Sequence, residues 1–185
     1  MLTGKDFIDS YIKYYDDIVS ENLCNKLMSH SFPYEPSAYS THDSGRVVKE
    51  DRVKMHEYWV LKDNIFYNDI KECFERVIVK YKSDFELFSV KHTTDFRINR
   101  YGKDGFMSRH VDNIHHSHGQ QYGYPQVSVL LYLNDDYEGG EFHVANKVYC
   151  PSKGSAIIFP SNFMFPHEAK KVINGTRWSV VTWLM

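Results

Sequence analysis

His110-Val111-Asp112 is followed, fifty-five residues after Asp112, by His167, with Arg177 ten residues beyond that. Side chains alternate along an extended strand, so His110 and Asp112 project from one face. For His167 to join them, a later strand must return across that face, which demands a fold of layered strands. Two imidazoles and a carboxylate on one side of a metal suit Fe(II) and leave positions open for further ligands. A lone His-x-Asp says little. The ordered set, with a cation after the second imidazole, says much more.

The second half of the chain supplies such strands. From about residue 90 the apolar pattern has period two, with Phe96 and Ile98 alternating with Arg97 and Asn99. Asp104-Gly105 predicts a hairpin returning along residues 107–112. Residues 127–134 are nearly all apolar, 141–144 and 147–150 flank an Ala-Asn turn, and 155–159 read as buried strand. Residues 167–173 and 176–184 flank Asn174-Gly175. Roughly eight short strands with regular turn signals predict a mainly β fold, a double-sheet jelly roll or barrel.

The first third reads differently. Phe7, Ile8, Tyr11, Ile12 and Tyr15 recur at helical spacing, as do Leu23, Leu27 and Met28, so residues 6–30 predict helix, with Ser20 as an N-cap starting its second part. Residues 33–52 hold two prolines and scattered charge and predict a long surface loop. Ile65, Phe66, Ile70, Phe74, Val77 and Ile78 give one apolar side to a helix over 63–82. These helices would pack outside the β core. The 185 residues suit one domain, with 1–90 as a helical and loop support and 91–185 as the core carrying the site.

Composition narrows the function classes. A net charge of −2 lacks the basic footprint of a nucleic-acid binder. Cys24, Cys73 and Cys150 are odd in number and widely spaced, which favours free thiols in a reducing, cytoplasmic setting. The N-terminal residues show no apolar signal region, and no apolar run approaches the ~20 residues of a membrane span.

At these residues the chain resembles the 2-oxoglutarate/Fe(II)-dependent dioxygenases of the prolyl 4-hydroxylase-like group. The likeness runs from Tyr101-Gly-Lys-Asp-Gly-Phe-Met-Ser-Arg-His110-Val-Asp112 through Leu130-Leu-Tyr-Leu-Asn134, Tyr137-Glu-Gly-Gly-Glu141 and Phe159-Pro-Ser161. It closes at His167, Gly175-Thr-Arg177-Trp-Ser179 and Trp183-Leu184, covering roughly residues 93–185. The resemblance implies a double-stranded β-helix with iron ligands at His110, Asp112 and His167. It implies 2-oxoglutarate and O2 as cosubstrates, with ascorbate as an accessory reductant. Many prolyl hydroxylases carry Lys where Arg177 stands and lysyl hydroxylases carry Arg, so the substrate residue stays open. The planar guanidinium of Arg177 offers two parallel hydrogen bonds to the distal carboxylate. Tyr101 is a second donor to that carboxylate and Ser179, at the same strand parity as Arg177, a third.

Strand parity also predicts how Arg177 comes to face the metal. If 167–173 and 176–184 pair as a hairpin, a three-residue loop (Ile173-Asn174-Gly175, Gly175 left-handed) puts Arg177 opposite Lys171 and on the side of His167. Trp183, at the same parity, and Tyr122 and Tyr124, on the 113–125 segment, are candidates for the substrate cavity, framed by the 33–57 loop. His115, His116 and His118 read as a polar loop rather than a zinc cluster. A peptide or protein is the first substrate expected. A small molecule or nucleobase, and a catalytically silent binding module, are the alternatives.

Overall fold

The computed structural model describes residues 4–41, 45–47, 51–113 and 124–185. The N-terminal part runs α1 (Gly4–Asp9), β1 (Lys13–Tyr15), α2 (Glu21–Ser29), β2 (Glu35–Pro36), β3 (Tyr39–Thr41), β4 (Gly45–Val47), β5 (Val53–Lys54), β6 (His56–Val60) and α3 (Tyr67–Asp84). The core follows with β7 (Phe96–Tyr101), β8 (Phe106–His110), β9 (Val127–Tyr132), β10 (Glu138–Gly139) and β11 (Phe142–Val144). It ends with β12 (Lys147–Tyr149), β13 (Ala156–Pro160), β14 (His167–Ala169), β15 (Val172–Asn174) and β16 (Arg177–Leu184).

A seven-stranded sheet, ordered β1-β13-β9-β16-β7-β6-β2, faces a five-stranded sheet, ordered β12-β11-β14-β8-β5. The two make the double-stranded β-helix, and β10-β15 and β3-β4 form small ribbons beside them. Period two divides the larger sheet. Phe96, Ile98, Val129, Leu131, Ile158 and Val180 pack on one side with Ile70, Phe74 and Val77 of α3. Leu130, Tyr132, Ile157, Phe159, Val181 and Trp183 point the other way, towards Phe142 and Val144 of the smaller sheet. Covered on both faces, β9 is therefore buried throughout, which is why its sequence reads as continuous rather than alternating.

Several expected elements are corrected. The 6–30 helix is interrupted, because Lys13–Tyr15 pairs with β13 at the sheet edge. Its second part starts where expected, at Ser20, whose hydroxyl accepts from the Leu23 amide at 3.3 Å. Ile65 precedes α3 and is 77% exposed. The 33–52 loop contains paired strands, and His56–Val60 joins the large sheet beside β7.

The hairpins predicted at Asp104-Gly105 and Asn174-Gly175 are absent, whereas the strands flanking Ala145-Asn146 do pair, as β11 and β12. Asp104 and Gly105 form a tight turn, yet β7 pairs with β6 and β16 while β8 pairs with β5 and β14. Likewise β15 pairs with β10, and β16 with β7 and β9. Each turn carries the chain from one sheet to the other. Gly175 is left-handed as expected, at φ 79°, but it makes a corner and no three-residue hairpin.

Candidate metal and cosubstrate site

His110 ends β8, Asp112 lies two residues on, and His167 begins β14, paired directly with His110. The antiparallel pairing places both imidazoles on one inner face, with ring centroids 4.3 Å apart. One ligand atom from each of the three residues falls within 4.8 Å of the others. His110 Nε2 is 3.4 Å from Asp112 Oδ1, and His167 Nε2 is 3.3 Å from Asp112 Oδ2. The far ring nitrogens are anchored on carbonyls, His110 Nδ1 to Ser108 O at 2.7 Å and His167 Nδ1 to Phe165 O at 3.2 Å. A carbonyl only accepts, so each Nδ1 carries the proton and each Nε2 turns a lone pair to the centre.

The protonation states suit a cation. Burial, then the neighbouring His167 imidazole, lowers the His110 pKa, favouring neutral imidazole. Burial alone would raise that of Asp112, but the two histidines outweigh it and hold the carboxyl well below its usual range. Ser128 donates to Asp112 Oδ2 at 2.6 Å, so its remaining contact at 2.7 Å is a bond received from Ser161. That hydroxyl chain fixes the carboxylate's orientation. The sequence reading overlooked Ser128, although a single serine inside an otherwise apolar strand was a visible signal.

Arg177 and Tyr101 face each other across the β16–β7 ladder and line the same cavity as the triad. The guanidinium lies 4.8 Å from the Tyr101 ring centre and 5.2 Å from that of Tyr132. Arg177 is 1% exposed, and Nε, Nη1 and Nη2 make no well-formed hydrogen bond among the described residues, although the Tyr132 and Tyr137 phenols stand beside it and favour its charged form against burial. The Tyr132 hydroxyl and Ser179 Oγ are likewise buried without partners. Burial pushes the Tyr132 pKa up, leaving it a neutral donor. Gly140 makes this arrangement possible, since a Cβ there would stand 3.1 Å from Arg177 Cδ. A buried cation beside unpaired hydroxyls fits a carboxylate, because only an anionic acceptor repays this desolvation. The free space is about 30 Å³, room for roughly one or two waters.

Trp183 lines the cavity, as expected. Ser179 shares the face of Arg177, opposite Asn99 and Tyr132. Tyr124 is 48% exposed and does not line the cavity. Tyr122 and His115, His116 and His118 lie outside the described residues. Arg97, Asn99, Tyr132 and Glu57 were not singled out in the sequence reading. Arg97 and Asn99 line the cavity with Tyr101 at successive inward positions of β7, and Tyr132 lies beside Ser179 on the same inner face.

Residues 96–185 match the model of the 2OG-Fe(II) oxygenase superfamily. They form a 2OG-Fe(II) oxygenase domain. The domain holds all three triad residues and Arg177, and their donor set fits the metal and cosubstrate that define the superfamily. Human prolyl 3-hydroxylase 2 is 25% identical over 207 aligned positions, covering 91% of this chain but 28% of the relative's length. The chain thus spans less than a third of that protein. A Pseudomonas putida prolyl-4-hydroxylase superposes with TM-score 0.72 at 15% identity, covering 94% of this chain and 91% of the other. A Trichoplax adhaerens prolyl hydroxylase, solved with a peptide fragment of the hypoxia inducible factor oxygen degradation domain, gives 0.72 at 18% identity, covering 98% and 88%. Both establish the oxygenase fold.

Proposed function

We propose that this chain is an Fe(II)- and 2-oxoglutarate-dependent dioxygenase that hydroxylates a peptidyl side chain, with proline the first residue to test. The observation that carries the reading is Arg177, buried in the cavity that the triad also lines with no well-formed hydrogen bond on its nitrogens among the described residues. His110, Asp112 and His167 would hold the metal; Arg177, Tyr101, Tyr132 and Ser179 would hold the distal carboxylate. Bound together, metal, dioxygen and 2-oxoglutarate supply the oxidant, one oxygen atom passing to succinate and one to the substrate C–H as CO2 leaves.

The formal charges agree. A metal dication offset by Asp112, together with Arg177, presents two positive charges to a dianion. The Nδ1 anchors on Ser108 and Phe165 keep the imidazoles in the ligating tautomer. The peptide preference draws on the relatives named prolyl hydroxylases and on the Trichoplax protein solved with a peptide. A cytoplasmic setting belongs to the same reading and rests on the three free cysteines.

The test is succinate formation from 2-oxoglutarate with Fe(II) and ascorbate, alongside Fe(II)-dependent binding of 2-oxoglutarate. Wild type binds and turns over, and His110→Ala does neither. Absence of both in wild type would return the domain to a binding module.

A further inference from the structure

A second buried cation lies beside the triad without any part in the reading above. Arg97 projects inward from β7, 9% exposed. Its Nη1 is 3.4 Å from Glu57 Oε2 on the neighbouring strand β6. Glu57 is in turn held by Ser37 Oγ at 2.6 Å and Trp59 Nε1 at 3.3 Å. The Arg97 guanidinium lies 4.9 Å from the Trp183 ring and 5.8 Å from the Trp59 ring. Its Nε is buried with no partner among the described residues.

Register fixes where this group acts. Arg97 pairs with Val181 on β16, four residues along from Arg177 and Tyr101, or roughly 13 Å. Two residues further, Trp183 pairs with Ser128, the residue that bonds Asp112. Arg97 therefore sits near the level of the metal ligands, at the opposite end of the cavity from Arg177. The dianion's charge is already balanced by Arg177 together with the metal and Asp112, and Glu57 balances Arg97. An anionic substrate group here would leave surplus buried charge, which is costly. A desolvated N–H without an acceptor is costly too. A neutral acceptor relieves the second cost without raising the first. The indoles hold the guanidinium in place beforehand, which lowers the entropy of engaging it.

We infer that Arg97, held by Glu57 between Trp59 and Trp183, is a specificity-determining residue that donates to a backbone carbonyl of an uncharged peptide segment beside the triad. This rests on the dioxygenase reading. The competing role is a structural ion pair fastening β6 to β7.

The probes are capped peptides Ac-Gly-Xaa-Pro-Xbb-Gly-NH2 with neutral Xaa and Xbb, the same panel with Asp at either position, and free L-proline. Oxygen addition is read by mass spectrometry with Fe(II), 2-oxoglutarate and ascorbate. Peptide and 2-oxoglutarate binding are read by tryptophan fluorescence with Mn(II) in place of Fe(II). Wild type oxidises neutral peptides in preference to acidic ones and to proline. Arg97→Lys, which keeps the charge but loses the Nε–H, raises peptide KM and Kd by about tenfold or more and leaves the 2-oxoglutarate Kd in place. The double variant Arg97→Met/Glu57→Gln, which strands no charge, does the same if the lysine variant folds poorly.

Wild-type peptide affinity in both variants would reduce the pair to a structural fastening. Equal weakening of 2-oxoglutarate would assign Arg97 to the cosubstrate, and a preference for the acidic panel would reverse the charge argument. If wild type binds 2-oxoglutarate with metal but binds no peptide, the peptidyl reading falls and takes this inference with it. If it binds no 2-oxoglutarate, the dioxygenase reading itself has failed.

Discussion

Arg177 lies directly across the β16–β7 ladder from Tyr101, its guanidinium 4.8 Å from the tyrosine ring, with no well-formed hydrogen bond on any of its three nitrogens among the described residues. Such a cation destabilises the ligand-free protein and serves binding. Arg177→Met should therefore stabilise the ligand-free fold by about 1 kcal/mol or more, after the lost ring contacts are counted. Saturating 2-oxoglutarate with Mn(II) should raise the wild-type Tm and leave that of the variant almost unmoved. Thermal melts with and without cosubstrate check both halves, and a destabilised variant that still responds to 2-oxoglutarate would sink the assignment.

Ser128 holds Asp112 through a 2.6 Å bond while receiving one from Ser161. Ser128→Ala removes that orientation without touching a ligand. Metal affinity should fall by about 10–100-fold, with the fold retained. Titration with Mn(II) or Fe(II) reads the effect, and an unchanged Kd would mean the hydroxyl chain is packing alone.

Acid should weaken the metal-free protein in a defined window. The His110 pKa is lowered by burial and by His167, so below about 6.5 the unfolded chain takes up a proton that the folded one refuses. Stability from this group is present above that value and is lost as pH falls through the folded pKa. Asp112, also depressed, contributes above about 4 and loses its share at lower pH still. Urea midpoints measured from neutral pH downward should decline across the first window, and His110→Gln should flatten that decline. An equally steep fall in the variant would assign the acid sensitivity elsewhere.

Thiol reactivity should follow burial. Cys150 is exposed, whereas Cys24 is buried with its pKa pushed up to about 11 by desolvation. Maleimide at mildly alkaline pH should label Cys150 first and reach Cys24 only on unfolding. The raised pKa also sets a sign. Stability from Cys24 is complete below its unfolded pKa of about 8.5 and is lost as pH rises through the folded value. Mass spectrometry of the labelled protein decides the order.

Read alone, the sequence singled out the candidate site residues and, for those on strands, the face that each occupies. Arg177, Ser179 and Trp183 at one parity follow from the period-two backbone, whatever the strands pair with, whereas Asp112 lies beyond the end of β8 and meets His110 without being on the strand. Pairing partners were decided by tertiary structure. Asp104-Gly105 and Asn174-Gly175 have the composition of hairpin turns, but a turn residue sets only the local backbone. Whether the chain then doubles back or crosses to the facing sheet depends on which distant edge offers free backbone groups and an apolar face. The same reason hid β1 and β6, short segments made into strands by β13 and β7. It also hid Arg97, since periodicity says that it faces inward but not that Glu57, forty residues earlier, meets it there. Only the packed sheets bring Ser128 to Asp112 and bury Arg177 without an acceptor among the described residues, because burial and pairing belong to neighbours that the linear order does not name.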